Sequence, residues 1–345
     1  MPCRPLNWMR NLIDPEIGKL ILLLRAAGLC LIGPILVLSA LQRCQAASYG
    51  GREYVSLNKW AHDNHLEISR LPDGRKVVLT NQTTRIVFFI DSAQAEINGI
   101  QVRLSFPCAV DKAAPSITQF DLDTAIDPLL FPVRVATTRP IKTICLDPGH
   151  GGRDTGNRAG GQMEKSYTLL LAWELRNQLQ KAGFKVILTR TADRYVALPD
   201  RPALANRLGA DLFISLHFNA TSAGVNEVEG PETYCITPVG ADSSNEHTEG
   251  DESGSANWGA TTGNRNEKQS LRLAYQVQKA LVQYLPASDR GVKRARFAVL
   301  RDAEMPAILI EGGFMTHPVE SKKIYSVAYR HRMAEAIVKG ILAYK

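Results

Sequence analysis

The feature that most restricts how this chain can fold is an alternation, between residues 143 and 342, of short apolar runs with longer segments of helical period. Thr143–Leu146, Phe184–Thr189, Leu212–Leu216, Thr233–Thr237 and Ala307–Ile310 have the length and composition of buried strands. Between and after them lie Glu164–Ala182, with Leu171, Leu175, Leu179 and Ala182 on one stripe, and Arg201–Leu208. Gln269–Leu285, with Leu273, Val277, Ala280 and Leu281 in register, and Tyr329–Leu342 follow. Gly183 stops the first helix. Strands alternating with helices of this length predict an α/β domain with a mainly parallel sheet flanked by helices.

Residues 48–133 have a different texture. Leu57–Leu66 reads as a short helix. Lys76–Thr80, Arg85–Asp91 and Ile100–Phe106 read as strands, separated by turn signals at Pro72-Asp73-Gly74 and Asn98-Gly99. A small α+β or β-rich module is expected, loosely resembling the copper-amine-oxidase N-terminal-like domains. His62 and His65 stand three apart on the helix, a spacing that can hold a metal, but with no third ligand nearby they read as surface residues. Residues 134–140 serve as a linker and 141–345 as the α/β domain, a two-part division that suits 345 residues.

Residues 1–46 are expected to lie outside the fold. Arg4, Arg10, Lys19 and Arg25 precede an uncharged run from Ala26 to Leu41. That run is short of the about 20 residues a membrane helix needs. Small residues Cys44 and Ala46 then stand where a signal peptidase cuts, so the segment is a cleaved secretory signal or, if Leu20–Leu24 extend the run, an uncleaved anchor. Both readings place the remainder outside the cytoplasm, in the periplasm, envelope or medium. Five basic and two acidic side chains leave with this segment. The formal +7 of the whole chain (41 Lys+Arg against 34 Asp+Glu) thus becomes +4, and nucleic acid is not an expected partner. Six cysteines at no ligand spacing exclude a disulfide scaffold and a cysteine zinc ribbon, and 45% hydrophobic residues exclude wholesale disorder.

Three of the strand runs end in a chemically similar way: His150 follows the first, His217 the third and Glu311 the last. Carboxyl ends of strands in open parallel sheets line the ligand crevice, so distant residues can meet there. Two histidines and a carboxylate are enough for a catalytic zinc that keeps one position for water. The bland alternatives are a hydrogen-bonded histidine at a strand end and a turn-capping Glu311 before Gly312-Gly313.

Beyond spacing, LDPGHGGRDTG (Leu146–Gly156), Glu164, TRTADRYVALPDRPALAN (Thr189–Asn206), SLHFNA (Ser215–Ala220) and PAILIEGGF (Pro306–Phe314) stand in one order. Over residues 141–345 the chain resembles the zinc-dependent N-acetylmuramoyl-L-alanine amidases of the amidase-3 family. The resemblance implies one Zn2+ held by His150, Glu164 and His217, with Glu311 as the catalytic acid–base group. It moves the metal carboxylate from Glu311 to Glu164, which on helix grounds alone only complements the dipole at its helix start. It implies peptidoglycan as substrate, cut at the amide joining N-acetylmuramic acid to L-alanine, with wall binding by residues 48–133 as a further possibility. A zinc peptidase acting on wall peptides uses the same ligand chemistry, and a non-catalytic wall-binding protein is the alternative of another class.

Arg190, Asp193, Arg201, Asn206 and Asp154 read as loop braces around such a site, and Asn219 as orienting a neighbour or the substrate. His317 reads as a surface residue, and Cys145 as a small apolar core residue. Residues 239–268, rich in Gly, Ser, Asn and acidic side chains, read as a long polar loop. With so few apolar residues it is not expected to form a helix that blocks the site, and no activator protein is required.

Overall fold

A computed structural model describes residues 47–49, 51–71, 74–111, 114–131, 140–244 and 259–345. The expected export segment 1–46, almost all of the linker and residues 245–258 of the polar loop lie outside the described residues. No helix among the described residues is long and apolar enough to cross a membrane. The chain divides into two compact units, 1–53 and 54–345. Described residues of the first include β1 (Ala47–Tyr49) and the start of β2 (Arg52–Ser56).

The second unit opens with α1 (Leu57–Asp63), followed by β3 (Glu67–Arg70), β4 (Lys76–Thr80), β5 (Arg85–Phe89), β6 (Ser92–Ile97), β7 (Ile100–Asp111) and β8 (Ala114–Thr118). Short helical turns cover Gln119–Asp121, Leu122–Ile126 and Asp127–Leu130. Then come β9 (Thr143–Pro148), β10 (Arg158–Ala159), β11 (Gln162–Met163), α2 (Glu164–Lys181), β12 (Lys185–Leu188), α3 (Asp200–Arg207), β13 (Leu212–Asn219) and β14 (Glu232–Ile236). They are followed by α4 (Glu267–Tyr284), β15 (Val292–Ala295), α5 (Ala298–Arg301), β16 (Ala307–Phe314), α6 (Glu320–Tyr325) and α7 (Val327–Tyr344).

The main sheet runs β12-β9-β13-β16-β14-β15-β7-β6-β5-β4-β3. Its centre, β12, β9, β13 and β16, is parallel, and β14 is antiparallel to β16. This is the expected α/β class with a mixed sheet. Alternate residues of the central strands feed two cores, as a strand covered on both faces requires. Ile144, Leu146, Ile214 and Leu216 pack in one cluster with Leu171, Leu175, Val277 and Ile337 of α2, α4 and α7. Cys145, Phe213, Tyr234 and Leu309 pack on the other side with Ala205 of α3 and Val299 of α5.

Residues 54–131 continue this sheet. β7 pairs with β15 in parallel through Val102 and Val292, and β7 to β3 are successive antiparallel hairpins. Leu57, Phe88 and Leu104 share one core cluster with Ile144 and Leu271. Tyr275 donates to the Ile97 carbonyl at 2.9 Å, and Asp289 accepts from the Gln101 amide at 2.7 Å. Residues 54–131 of the expected accessory part thus join the α/β part edge to edge within one compact unit. β6 and β15 have no counterpart in the sequence reading. In β15 (VKRA) a buried Arg294 takes a strand position because it donates to the Thr124 carbonyl at 2.7 Å. The end of the expected polar loop is helical, with a 3-10 turn at Thr262–Asn266 leading into α4. Asn264 anchors that turn by donating to the Thr237 carbonyl at 2.9 Å.

Candidate active site

β9 ends at Pro148, and the chain then bends through Gly149-His150-Gly151-Gly152. His150 has φ 61, a left-handed conformation uncommon outside glycine. Two fully buried guanidinium groups hold it there. Arg190 donates to the carbonyls of Pro148 (2.9 Å) and Gly149 (2.8 Å), and Arg201 donates to the His150 carbonyl (3.1 Å). Arg201 also pairs with buried Asp147 at 3.0 Å, whose second oxygen accepts from Ser215 on β13 at 2.8 Å. Burial lowers the Arg190 pKa to about 10. The glycines clear the space: a Cβ on Gly149 would lie 2.3 Å from the His217 ring, and one on Gly156 would lie 2.5 Å from the His150 ring.

Glu164 opens α2 and is almost completely buried. One carboxylate oxygen lies 3.0 Å from His150 Nε2 and accepts from the Asn157 amide; the other lies 3.0 Å from His217 Nδ1 and accepts from the Phe218 amide. Burial alone would raise its pKa, but the bonds from the two histidines outweigh burial and hold it well below the usual carboxylate range. The imidazole rings meet edge to face, 4.8 Å between centroids. The donor atoms of His150, Glu164 and His217 lie within 4.8 Å of one another, the one such metal-capable group among the described residues. Each histidine lies 3.0 Å from its own Glu164 oxygen and the donor set spans no more than 4.8 Å, so the donor types and their clustering suit a zinc that binds nitrogen and carboxylate oxygen at about 2.0–2.2 Å. The remaining nitrogen of His150, Nδ1, lies 2.9 Å from Asp154, the outer-sphere carboxylate that metal-binding histidines commonly have.

Glu311 lies inside β16, not after it, because β16 continues through the glycines to Phe314. Register sets it beside His217 of β13 on one side and Glu232 of β14 on the other. Its Oε2 is buried without a hydrogen-bond partner among the described residues. Burial, reinforced by the charges of Glu164 and Glu232, pushes its pKa well above the usual range, and Lys293 opposes this. Glu232, absent from the sequence reading, is buried and accepts from Asn219 Nδ2 (2.9 Å), Tyr234 OH (2.6 Å) and Arg290 Nε (2.8 Å), with Lys293 Nζ also bound. The one signal for it was a charge heading a five-residue run that is buried throughout. His150, Glu164, His217 and Glu311 open into one cavity of about 820 Å³.

The other residues singled out divide. Asp193 accepts from the Gly152 amide and Lys165 Nζ, both at 2.7 Å, and Asn206 bridges Asp302 and Glu304, so both brace loops as expected. His62 and His65 are exposed, and Cys145 is core, its thiol pushed up by burial. His317 is not a surface residue: it is 7% exposed, and its Nδ1 accepts the Glu320 amide at 3.1 Å because the ring caps the start of α6.

The family described as N-acetylmuramoyl-L-alanine amidase matches residues 144–343. The chain is 34% identical over 203 residues to the uncharacterized protein YqiI of Bacillus subtilis (strain 168), covering 59% of this chain and 84% of that one. It is 33% identical over 203 residues to the N-acetylmuramoyl-L-alanine amidase LytC of the same organism, spanning only 35% of that longer protein and 59% of this chain. The crystal structure of an N-acetylmuramoyl-L-alanine amidase from Clostridium difficile 630 is 37% identical, with a TM-score of 0.48, covering 60% of this chain and 97% of that one.

Proposed function

The chain belongs to the N-acetylmuramoyl-L-alanine amidase family, and from that premise we propose that it cuts peptidoglycan at the amide joining N-acetylmuramic acid to L-alanine, with one zinc held by His150, Glu164 and His217. The observation that carries the proposal is the convergence of this donor set with the unpartnered Oε2 of Glu311 in one cavity. When bound, zinc polarises the amide carbonyl and lowers the pKa of water toward about 7.

The protein's own groups supply positioning and proton transfer. Arg190 and Arg201 fix the backbone on either side of His150, and Asp154 orients its imidazole. Glu311, free of competing donors at Oε2, takes the proton of the attacking water and returns it to the leaving nitrogen. Burial, with the neighbouring negative charges, raises its proton affinity and so favours the first transfer. Export through residues 1–46 places this chemistry where the wall is.

Mass spectrometry of muropeptides digested by the zinc-loaded protein tests the reading. Intact stem peptides with L-alanine at a new amino terminus, lost on chelation, are expected. Cleavage between stem residues instead would make the protein a zinc peptidase.

A further inference from the structure

We propose that Arg153 and Tyr195 form a subsite on the cavity rim that binds a carboxylate of the substrate's stem peptide, an inference that rests on the amidase reading above. Arg153 is exposed, lines the same cavity as His150, His217 and Glu311, and has no acidic partner among the described residues. Its guanidinium carbon stands 4.4 Å from the centroid of the Tyr195 ring, a cation–π stack that orders a long side chain before any ligand arrives. Tyr195 is itself 44% exposed, so its ring is not there to fill a core.

The main chain beneath the stack is built to hold it. The Gly152 amide donates to Asp193 at 2.7 Å, and Lys165 Nζ donates to the Gly152 carbonyl at 2.8 Å. A Cβ on Gly152 would lie 2.6 Å from the Tyr195 nitrogen, and one on Gly151 would lie 2.2 Å from the Arg194 carbonyl oxygen. The two segments therefore touch backbone to backbone, which fixes Arg153 and Tyr195 relative to each other.

Charge distribution gives the ligand its sign. The acidic groups lining the cavity include Asp154, Glu164 and Glu311, and Arg201, the other cation lining it among the described residues, is committed to Asp147 and to backbone carbonyls. Arg153 is thus the cation of the lining, among the described residues, left to meet an anionic substrate group. Distance favours the nearest candidate. Two extended residues span at most about 7 Å, so the carboxylate nearest the scissile amide, the free main-chain carboxylate of a side-chain-linked second-residue glutamate, is the first candidate for the rim. A third-residue carboxylate is the more distant source of the same chemistry.

Steady-state kinetics of the zinc-loaded full chain on two pairs of synthetic muramoyl peptides tests this. The first pair differs only by amidation of the second-residue carboxylate, and the second pair only by the presence of a side-chain carboxylate on the third residue. A roughly tenfold lower KM for the non-amidated member of the first pair is expected, the size of one partly exposed charge-assisted contact. That ratio should collapse toward one in Arg153→Ala, fall part-way in Tyr195→Ala and be partly kept in Arg153→Lys, which retains charge without the planar fork. The same Arg153-dependent ratio in the second pair would support the subsite with the third residue as its source. Equal KM within both pairs, or a ratio that survives Arg153→Ala, would overturn the subsite while leaving the amidase reading intact. Failure of the wild type to clear purified peptidoglycan would remove the amidase reading, and this inference with it.

Discussion

The hairpin between β6 and β7 and the loop after β9 each hold a non-glycine residue in the left-handed region, Asn98 at φ 48 and His150 at φ 61. Around Asn98 everything that stabilises the bend is local. Gly99 follows at φ 83, as a tight two-residue turn requires, and Asn98 exchanges two hydrogen bonds of 2.8 Å with Arg85 of the neighbouring strand. Around His150 the ring is met locally by Asp154, but the backbone is held from afar. Its carbonyl is held from Arg201, the preceding carbonyls from Arg190, and its ring is met by Glu164. The first bend is what its own sequence prefers, whereas the second is imposed by residues up to 51 positions away. The proposed chemistry sits on the imposed one, because only convergence from several elements brings two imidazoles and two carboxylates into one space.

The sharpest way to separate bracing from chemistry is Glu311→Gln. This change keeps the shape and removes the proton carrier from a residue that has no hydrogen bond at Oε2 to lose. Turnover of purified peptidoglycan should fall about 10²–10⁴-fold, with zinc content and melting temperature held. Wild-type turnover would remove Glu311 from the proposed mechanism.

Arg201→Met attacks the bracing instead. It leaves Asp147 buried without its cation and frees the His150 carbonyl. A loss of about 3–5 kcal/mol is expected, the usual result of breaking one side of a buried pair, read by urea denaturation and accompanied by weaker zinc binding. If stability fell while zinc affinity stayed at the wild-type value, the loop would hold His150 without this brace. Chelation is a comparable perturbation that acts on the metal alone. With free zinc at about 1,000 times its Kd, binding adds about 4 kcal/mol, so a chelator should lower the melting temperature by several degrees and leave the far-ultraviolet circular dichroism unchanged below it.

The same contrast explains what could be read from the chain. Lys76–Thr80 is a strand with the bounds its pattern implies, since apolar composition and turn residues act within a few positions. His150, His217 and Glu311 were legible as a trio because strand ends in a parallel sheet converge, a rule of topology. Glu164 as a proposed ligand was legible only through family likeness: an acidic residue at a helix start has the same local signature whether or not two histidines meet it. Glu232 escaped because its partners, Asn219, Tyr234, Arg290 and Lys293, come from three separate stretches. The joining of β7 to β15 escaped for a related reason, since one parallel pairing between Val102 and Val292 leaves no periodic trace.

The smallest effect expected falls on the locally determined bend, and it tests whether that bend is independent of the site. Asn98→Ala keeps the backbone register but puts a β-carbon without a hydrogen-bonding side chain into a left-handed residue, at about 1–2 kcal/mol. It also deletes the 2.8 Å bond from the Arg85 amide, a group at the exposed start of β5 that water can then satisfy. Asn98→Gly should recover most of the loss, because glycine adopts this conformation without steric cost. Both variants should keep wild-type turnover and zinc content, since the hairpin contributes no group to the cavity lining. A drop in turnover that follows the drop in stability would instead mean that strain in the β6–β7 hairpin reaches the site through the β7–β15 pairing. The imposed bend at His150 would then depend on the local one.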